Sequence, residues 1–188
     1  MIKTIADAFA RHSAIVAKSA RDILPETERS AQILLSAIKQ GNKLLVCGNG
    51  GSAADSQHLT GEFLCRYKAD RRPLPAIALT ADTSALTAIG NDYDFDQVFA
   101  RQIKALGTAG DVLVVLTTSG QSPNILCAIK QAKAQGLRAI ALTGARGSGL
   151  KEITDSAIAV PSDETARIQE VHELIYHAWC EFLDANLE

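Results

Sequence analysis

Lys43-Leu44-Leu45-Val46-Cys47-Gly48-Asn49-Gly50-Gly51-Ser52 carries a short apolar run directly into a loop of glycine, asparagine and serine, and a helix-compatible stretch follows. The design recurs where Val112-Leu113-Val114-Val115-Leu116 runs into Thr117-Thr118-Ser119-Gly120-Gln121-Ser122-Pro123. Both loops offer small residues, free backbone N–H groups and a helix N-terminus, which is what an anionic group such as phosphate needs. The second loop adds hydroxyls at Thr117, Thr118, Ser119 and Ser122. A cradle of hydroxyls with no lysine of the P-loop type points to sugar phosphates rather than nucleoside triphosphates.

Working outward from these loops, apolar strand runs alternate with helical patterns. Strands are expected at 43–47, 76–80, 112–116, 138–142 and 157–160, and helices at 52–66, 83–90, 95–106, 123–135 and 164–185. Such alternation argues for a doubly wound α/β fold, a five-stranded parallel sheet flanked by helices. The strands are almost wholly apolar, as expected when both faces are covered. Ligands in such sheets bind beyond the carboxyl ends of the strands, where both loops lie. Two helices precede the first strand. Residues 2–22 place Ile2, Ile5 and Phe9 at helical spacing. Residues 26–40 carry Ala31, Leu34, Leu35 and Ile38, with Pro25 suited to the first turn. Ser52, with Asp55 three residues on, reads as close to a capping box, and Ser122 reads as a cap followed by Pro123.

The 188 residues are 47% apolar with a net charge of −2, so one domain with a sizeable core is expected. No basic face suggests nucleic-acid binding, and no apolar run approaches the roughly 18 residues of a membrane span. A cytoplasmic protein is expected. Cys47, Cys65, Cys127 and Cys180 form no C-x-x-C pair and read as buried free thiols.

His58 and Glu62 share one helix face, a turn apart. The last helix carries Arg167-Ile168-Gln169-Glu170-Val171-His172 and then His177. Gln169 and His177 are about 12 Å apart along that helix, so spacing alone does not make them partners. His172 reads as a partly buried or surface histidine. Gly90-Asn91-Asp92 reads as a turn, with Asp92 placed to meet a sugar hydroxyl if the loop borders the site. Gly48 to Ala53 also satisfies the dinucleotide pattern G-x-G-x-x-A, with Asp82 a candidate ribose ligand. Against that reading stand the two leading helices and the hydroxyl loop, which has no role in it.

Together, Cys47-Gly48-Asn49-Gly50-Gly51-Ser52-Ala53-Ala54-Asp55, Gln57-His58, Ala88-Ile89-Gly90-Asn91-Asp92, Thr118-Ser119-Gly120, Ser122-Pro123-Asn124 and Ala166-Arg167-Ile168-Gln169-Glu170 resemble the sedoheptulose 7-phosphate isomerases of the sugar isomerase (SIS) domain family. The resemblance covers nearly the whole chain. It implies a single SIS domain over residues 1–188, with helices 1–40 packing in the oligomer and the α/β core at 43–188. It implies a homotetramer with active sites between subunits, converting sedoheptulose 7-phosphate to D-glycero-D-manno-heptose 7-phosphate, the first step toward activated heptoses for lipopolysaccharide cores and surface glycans. The implied catalytic pair is Glu62 and His177. The implied ligands of one zinc per subunit are His58, Glu62, Gln169 and His177. The implied substrate contacts are Asn49, Gly50, Gly51, Glu62, Asn91, Asp92, Thr117, Thr118, Ser119, Ser122 and Gln169. Three positions depart from the pattern: Gly61 weakens the helix between His58 and Glu62, Thr117 stands where serine is common, and Ala166 replaces an aspartate found in some members. The alternatives are a tetrameric adaptor of the DnaA initiator, whose type lacks the catalytic Glu and His, and a sugar-phosphate sensor without turnover.

Overall fold

The computed structural model describes residues 2–187. Its elements are α1 (Ile2–Asp22), α2 (Leu24–Lys39), β1 (Leu44–Gly48), α3 (Gly51–Leu64), β2 (Ala76–Ala78), α4 (Thr83–Asp92), α5 (Ala100–Leu106), β3 (Val112–Thr117), α6 (Pro123–Ala134), β4 (Arg138–Gly144), β5 (Ser156–Val160) and α7 (Thr165–Asn186). The five strands form one parallel sheet in the order β2-β1-β3-β4-β5. Cys47 pairs with Val115, and Thr117 pairs with Thr143.

Successive strand residues point to opposite faces and build two cores. Val46, Val114, Leu116, Leu142 and Ile158 pack with side chains from α2, α3 and α7. Leu45, Cys47, Leu113, Val115 and Ala141 pack with Ile103 of α5 and Ile125 and Ile129 of α6. The chain leaves β1 toward one edge of the sheet and returns to the other side of β1 with β3. This reversal makes a topological switch point, and the crevice beyond the carboxyl ends of β1 and β3 is where such sheets take ligands. The two small-residue loops occupy that crevice.

Several local expectations are corrected. Strand 76–80 ends at Ala78, because Ala81 N–H turns back to Ala78 O and the Thr80 hydroxyl donates to Ala53 O. The helix expected at 83–90 continues to Asp92, so Gly90-Asn91-Asp92 forms its last turn rather than a loop. Asp82 is the cap of α4, its carboxylate accepting from Ala85 N–H at 2.9 Å. The helix expected at 95–106 is divided into a 3-10 turn at Phe95–Gln97 and α5, because the Asp94 carboxylate accepts from Asp96 N–H and tightens the chain there. Ser52 is no cap: Gly50 precedes the helix, with φ 58°, and no side chain caps it. Ser122 holds the cap position but makes no capping hydrogen bond. All four cysteines are free, but only Cys47 and Cys180 are buried.

Helix α1 leans on α7 through His12 Nδ1 and Glu170 Oε2, 2.7 Å apart, and through Arg167, which donates to Ala8 O at 3.0 Å. Its outward stripe is apolar and open, with Ile2 85%, Ile5 60% and Phe9 72% exposed. Among the described residues no helix is long and apolar enough to cross a membrane.

Candidate active site

The crevice brings close-packed backbone and short polar side chains together. The Gln169 amide lies directly over Gly51, where a Cβ would sit 2.6 Å from Nε2, so in this arrangement the amide occupies the space a side chain would need. Gln169 Nε2 also reaches Ser52 Oγ at 3.5 Å. Asn49 and Asn124 exchange side-chain amide hydrogen bonds, each 2.9 Å, which ties the first loop to the start of α6. In the second loop Gly120 takes φ 69°, and a Cβ there would run into the Gly147 backbone. Its N–H donates to Thr117 Oγ1 at 3.1 Å. Ser119 Oγ accepts from Gln121 N–H at 3.2 Å, and Thr118 O accepts from Gly144 N–H at 3.2 Å. Asn49, Gly50, Gly51, Thr117, Thr118, Ser119, Ser122 and Gln169 therefore line one cleft, joined by Ser52, Leu116 and Thr165. Every polar group in that lining is uncharged. It is a set of N–H, amide and hydroxyl donors at the head of a helix, suited to an anion that keeps its charge.

A second cluster lies further along the seam between α3 and α7. These helices run side by side in the same direction: Gln169 meets the first turn of α3, and His177 meets its third and fourth. His58 Nε2 and Glu62 Oε1 are 3.2 Å apart, and His177 Nε2 is 3.4 Å from His58 Nε2. One donor atom from each of His58, Glu62 and His177 lies within 4.8 Å of the others. Two ring nitrogens this close cannot both point protons at each other, so the lone pairs converge on a point that suits a shared proton or a cation. The set of two imidazoles and one carboxylate matches the three protein ligands of a catalytic zinc site with an open position. Gln169 is drawn to the other end of the seam, beside Gly51 and Ser52.

The cluster is held by its neighbours. Tyr67 stacks on His177, with centroids 5.3 Å apart and planes at 26°. The wholly buried Tyr176 places its hydroxyl 2.9 Å from His58 Nδ1. Arg71 donates to Glu62 O at 3.0 Å and Phe63 O at 3.2 Å, and pairs with Asp184 of α7 at 2.7 Å, locking the end of α3. Asp55, one turn before His58, has its carboxyl pushed up to about 6 by burial and by Glu173, with His58 opposing.

Residues 6–144 match the SIS domain family. The chain is 50% identical over 185 residues to a phosphoheptose isomerase of a Bradyrhizobium species, covering 97% of this chain and 93% of that one. The solved structure of phosphoheptose isomerase GmhA from Neisseria gonorrhoeae superposes with a TM-score of 0.91 at 43% identity, over 97% of this chain and 98% of that one. A phosphoheptose isomerase from Francisella tularensis gives a TM-score of 0.94 at 41% identity, over 98% of each chain. The chain belongs to the phosphoheptose isomerase family.

The adaptor alternative finds no support beside phosphoheptose isomerase relatives of this identity, and Glu62 and His177, which that type lacks, stand together here. Of the residues the phosphoheptose isomerase resemblance implies, only Asn91 and Asp92 lie outside both clusters. They are exposed at the end of α4 and bonded to each other, Nδ2 to Oδ1 at 2.8 Å. His172 is wholly buried rather than at the surface, with Nε2 3.3 Å from Thr143 O. Sequence reasoning missed Asn124, Tyr67 and Tyr176 as residues that hold the site. Asn124 sits in a quoted motif, which was its only signal. The two tyrosines matter through helix packing that no local spacing reveals.

Proposed function

We propose that the chain interconverts sedoheptulose 7-phosphate and D-glycero-D-manno-heptose 7-phosphate, the activity the phosphoheptose isomerase name implies. The observation that carries this reading is the seam itself, with an uncharged anion cradle at one end of α3 and α7 and an imidazole–carboxylate cluster at the other. Residues 169 and 177, which mark the two ends, are about 12 Å apart along the helix. A phosphate held at the first end leaves the reacting carbons of an extended sugar chain near the second.

In the proposed mechanism the phosphate is bound by Ser119, Ser122, Thr118 and the N-terminus of α6, with Asn49, Gly50, Gly51, Thr117 and Gln169 completing the cleft. Fixing the phosphate orients C1 and C2 before any bond changes. Glu62 takes the C1 proton, giving an enediol, and returns a proton to C2. His177 moves the proton between the sugar oxygens, a task for an imidazole, whose two ring nitrogens can donate and accept. His58, Glu62 and His177 fit a divalent zinc. Bound there, zinc would polarise the substrate oxygens. We read Gln169 as a substrate contact that can also approach such an ion.

We further read residues 1–188 as one SIS domain, cytoplasmic and assembled as a homotetramer with sites between subunits. The open apolar stripe of Ile2, Ile5 and Phe9, together with the groove between α1, α2 and α7, supports that assembly. Asn91 and Asp92, exposed away from the cleft, would contact substrate in the assembled site. The test follows sedoheptulose 7-phosphate by NMR, with and without a chelator. Aldose formation is expected, lost with chelator and restored by zinc. Turnover that chelation leaves intact would retain the isomerase and remove the metal. No turnover in any condition would overturn the reading.

A further inference from the structure

Tyr176 lies among the apolar residues of α7 and has no exposed surface. A buried phenol needs a partner for its hydroxyl, and here the partner is the ring of His58, whose side chain is 41% exposed. The 2.9 Å contact at Nδ1 thus runs from the rigid core to a surface imidazole. The rings meet edge to face, with centroids 5.3 Å apart and planes at 78°. The Glu173 carboxylate also faces Nδ1, but at 3.7 Å, beyond hydrogen-bond distance.

We infer that Tyr176 is a positioning residue whose hydroxyl anchors His58 at Nδ1 and so aims Nε2 at Glu62 and His177. A neutral phenol both donates and accepts. With the phenol donating to Nδ1, the imidazole carries its proton on Nε2 and gives it to Glu62 at 3.2 Å. With Nδ1–H donating to the phenol oxygen, Nε2 turns a lone pair toward the same point, as a cation requires, and the phenol O–H is freed to turn to the Glu173 carboxylate that faces the same Nδ1. The ring does not move between these arrangements. A carboxylate at Nδ1 could only accept, and would hold the second arrangement alone. Tyr176 therefore fixes orientation while leaving the tautomer free to change. The inference rests on the cluster being the site proposed above.

The test is Tyr176→Phe in the full-length protein, which keeps the ring and its packing and removes only the hydroxyl. Tyr93→Phe, on the exposed ring that stacks on Arg101, is the control. Zinc affinity measured against a chromophoric chelator should weaken about 10- to 100-fold in Tyr176→Phe and stay at the wild-type value in the control. In the metal-free protein the ring ¹⁵N resonances of His58 should move in Tyr176→Phe, a change that loss of packing elsewhere would not produce. Unchanged zinc affinity with unchanged His58 resonances would overturn the inference. If the wild type binds no zinc, the metal reading fails by itself, and the resonances alone decide: movement upholds the anchor and identity with wild type removes it.

Discussion

The two ends of the α3–α7 seam are rigid for different reasons. At the anion cleft the backbone itself is in contact: Gln169 rests on Gly51, and Gly120 meets Gly147 with no room for a Cβ. At the cluster the backbone is not closely approached. Gly61, between His58 and Glu62, would meet nothing within 4 Å if it carried a Cβ. There the order comes from side chains: Tyr176 on His58, Tyr67 on His177 and Arg71 across the end of α3. A cleft that holds a constant phosphate benefits from a fixed frame. A group that must pass a proton benefits from neighbours that can exchange donor and acceptor roles.

The strongest way to break this contrast is to remove chemistry from one end and ask whether the other notices. Glu62→Gln keeps the shape and removes the proposed base. Turnover and exchange of the C1 proton with solvent should fall by about 10³-fold, within the range general bases contribute. Sugar-phosphate affinity, which we assign to the cleft, should stay within about twofold. Measured by NMR exchange and calorimetry, near-normal exchange would remove Glu62 from the mechanism. A parallel loss of affinity would show that the two ends are not separable.

The same contrast governed what could be read from the chain. The cleft was legible because strand, loop and helix follow one another within about ten residues at 43–52 and again at 112–123, and such motifs are local. His58 and Glu62 were legible as an i, i+4 pair. The place of His177 was not, because it depends on α7 lying along α3, a packing decided by Leu59, Phe63, Ile175 and Trp179 together. The eight-residue gap to Gln169 was correctly read as a distance, yet it proved to be the spacing of two stations along one seam. Ser52 misled as a cap, since Gly50 holds that place, whereas Ser122 does hold the cap position before Pro123, without a side-chain hydrogen bond. Tyr176 escaped notice because a tyrosine beside an apolar stripe looks like core.

A smaller effect probes the frame beneath the cleft. His172 is buried under Thr143, whose neighbour Gly144 donates to Thr118 O in the loop above. Burial lowers the imidazole from 6.5 to about 4, the hydrogen bond to Thr143 opposing only in part. Between those values the unfolded chain takes up a proton that the native state refuses, so stability falls as pH falls. The loss should reach about 3 kcal/mol by pH 4 and be absent above pH 7. His172→Gln, which keeps a donor for Thr143 O and has no titration there, should flatten this part of the curve in denaturant unfolding. An equally steep curve in the variant would move the acid sensitivity to the carboxylates.

Gly61→Ala fills open space in a helix interior, so α3 should gain up to about 1 kcal/mol, read as a raised midpoint in thermal or denaturant unfolding. If the cluster is ordered by its side-chain neighbours, a stiffer backbone adds nothing to what Tyr176, Tyr67 and Arg71 already hold, and kcat and KM should stay within about twofold of wild type. A stabilised protein with a lowered kcat would mean that α3 has to yield between His58 and Glu62 during turnover. The glycine would then be a hinge, and the two ends of the seam would differ in motion as well as in construction.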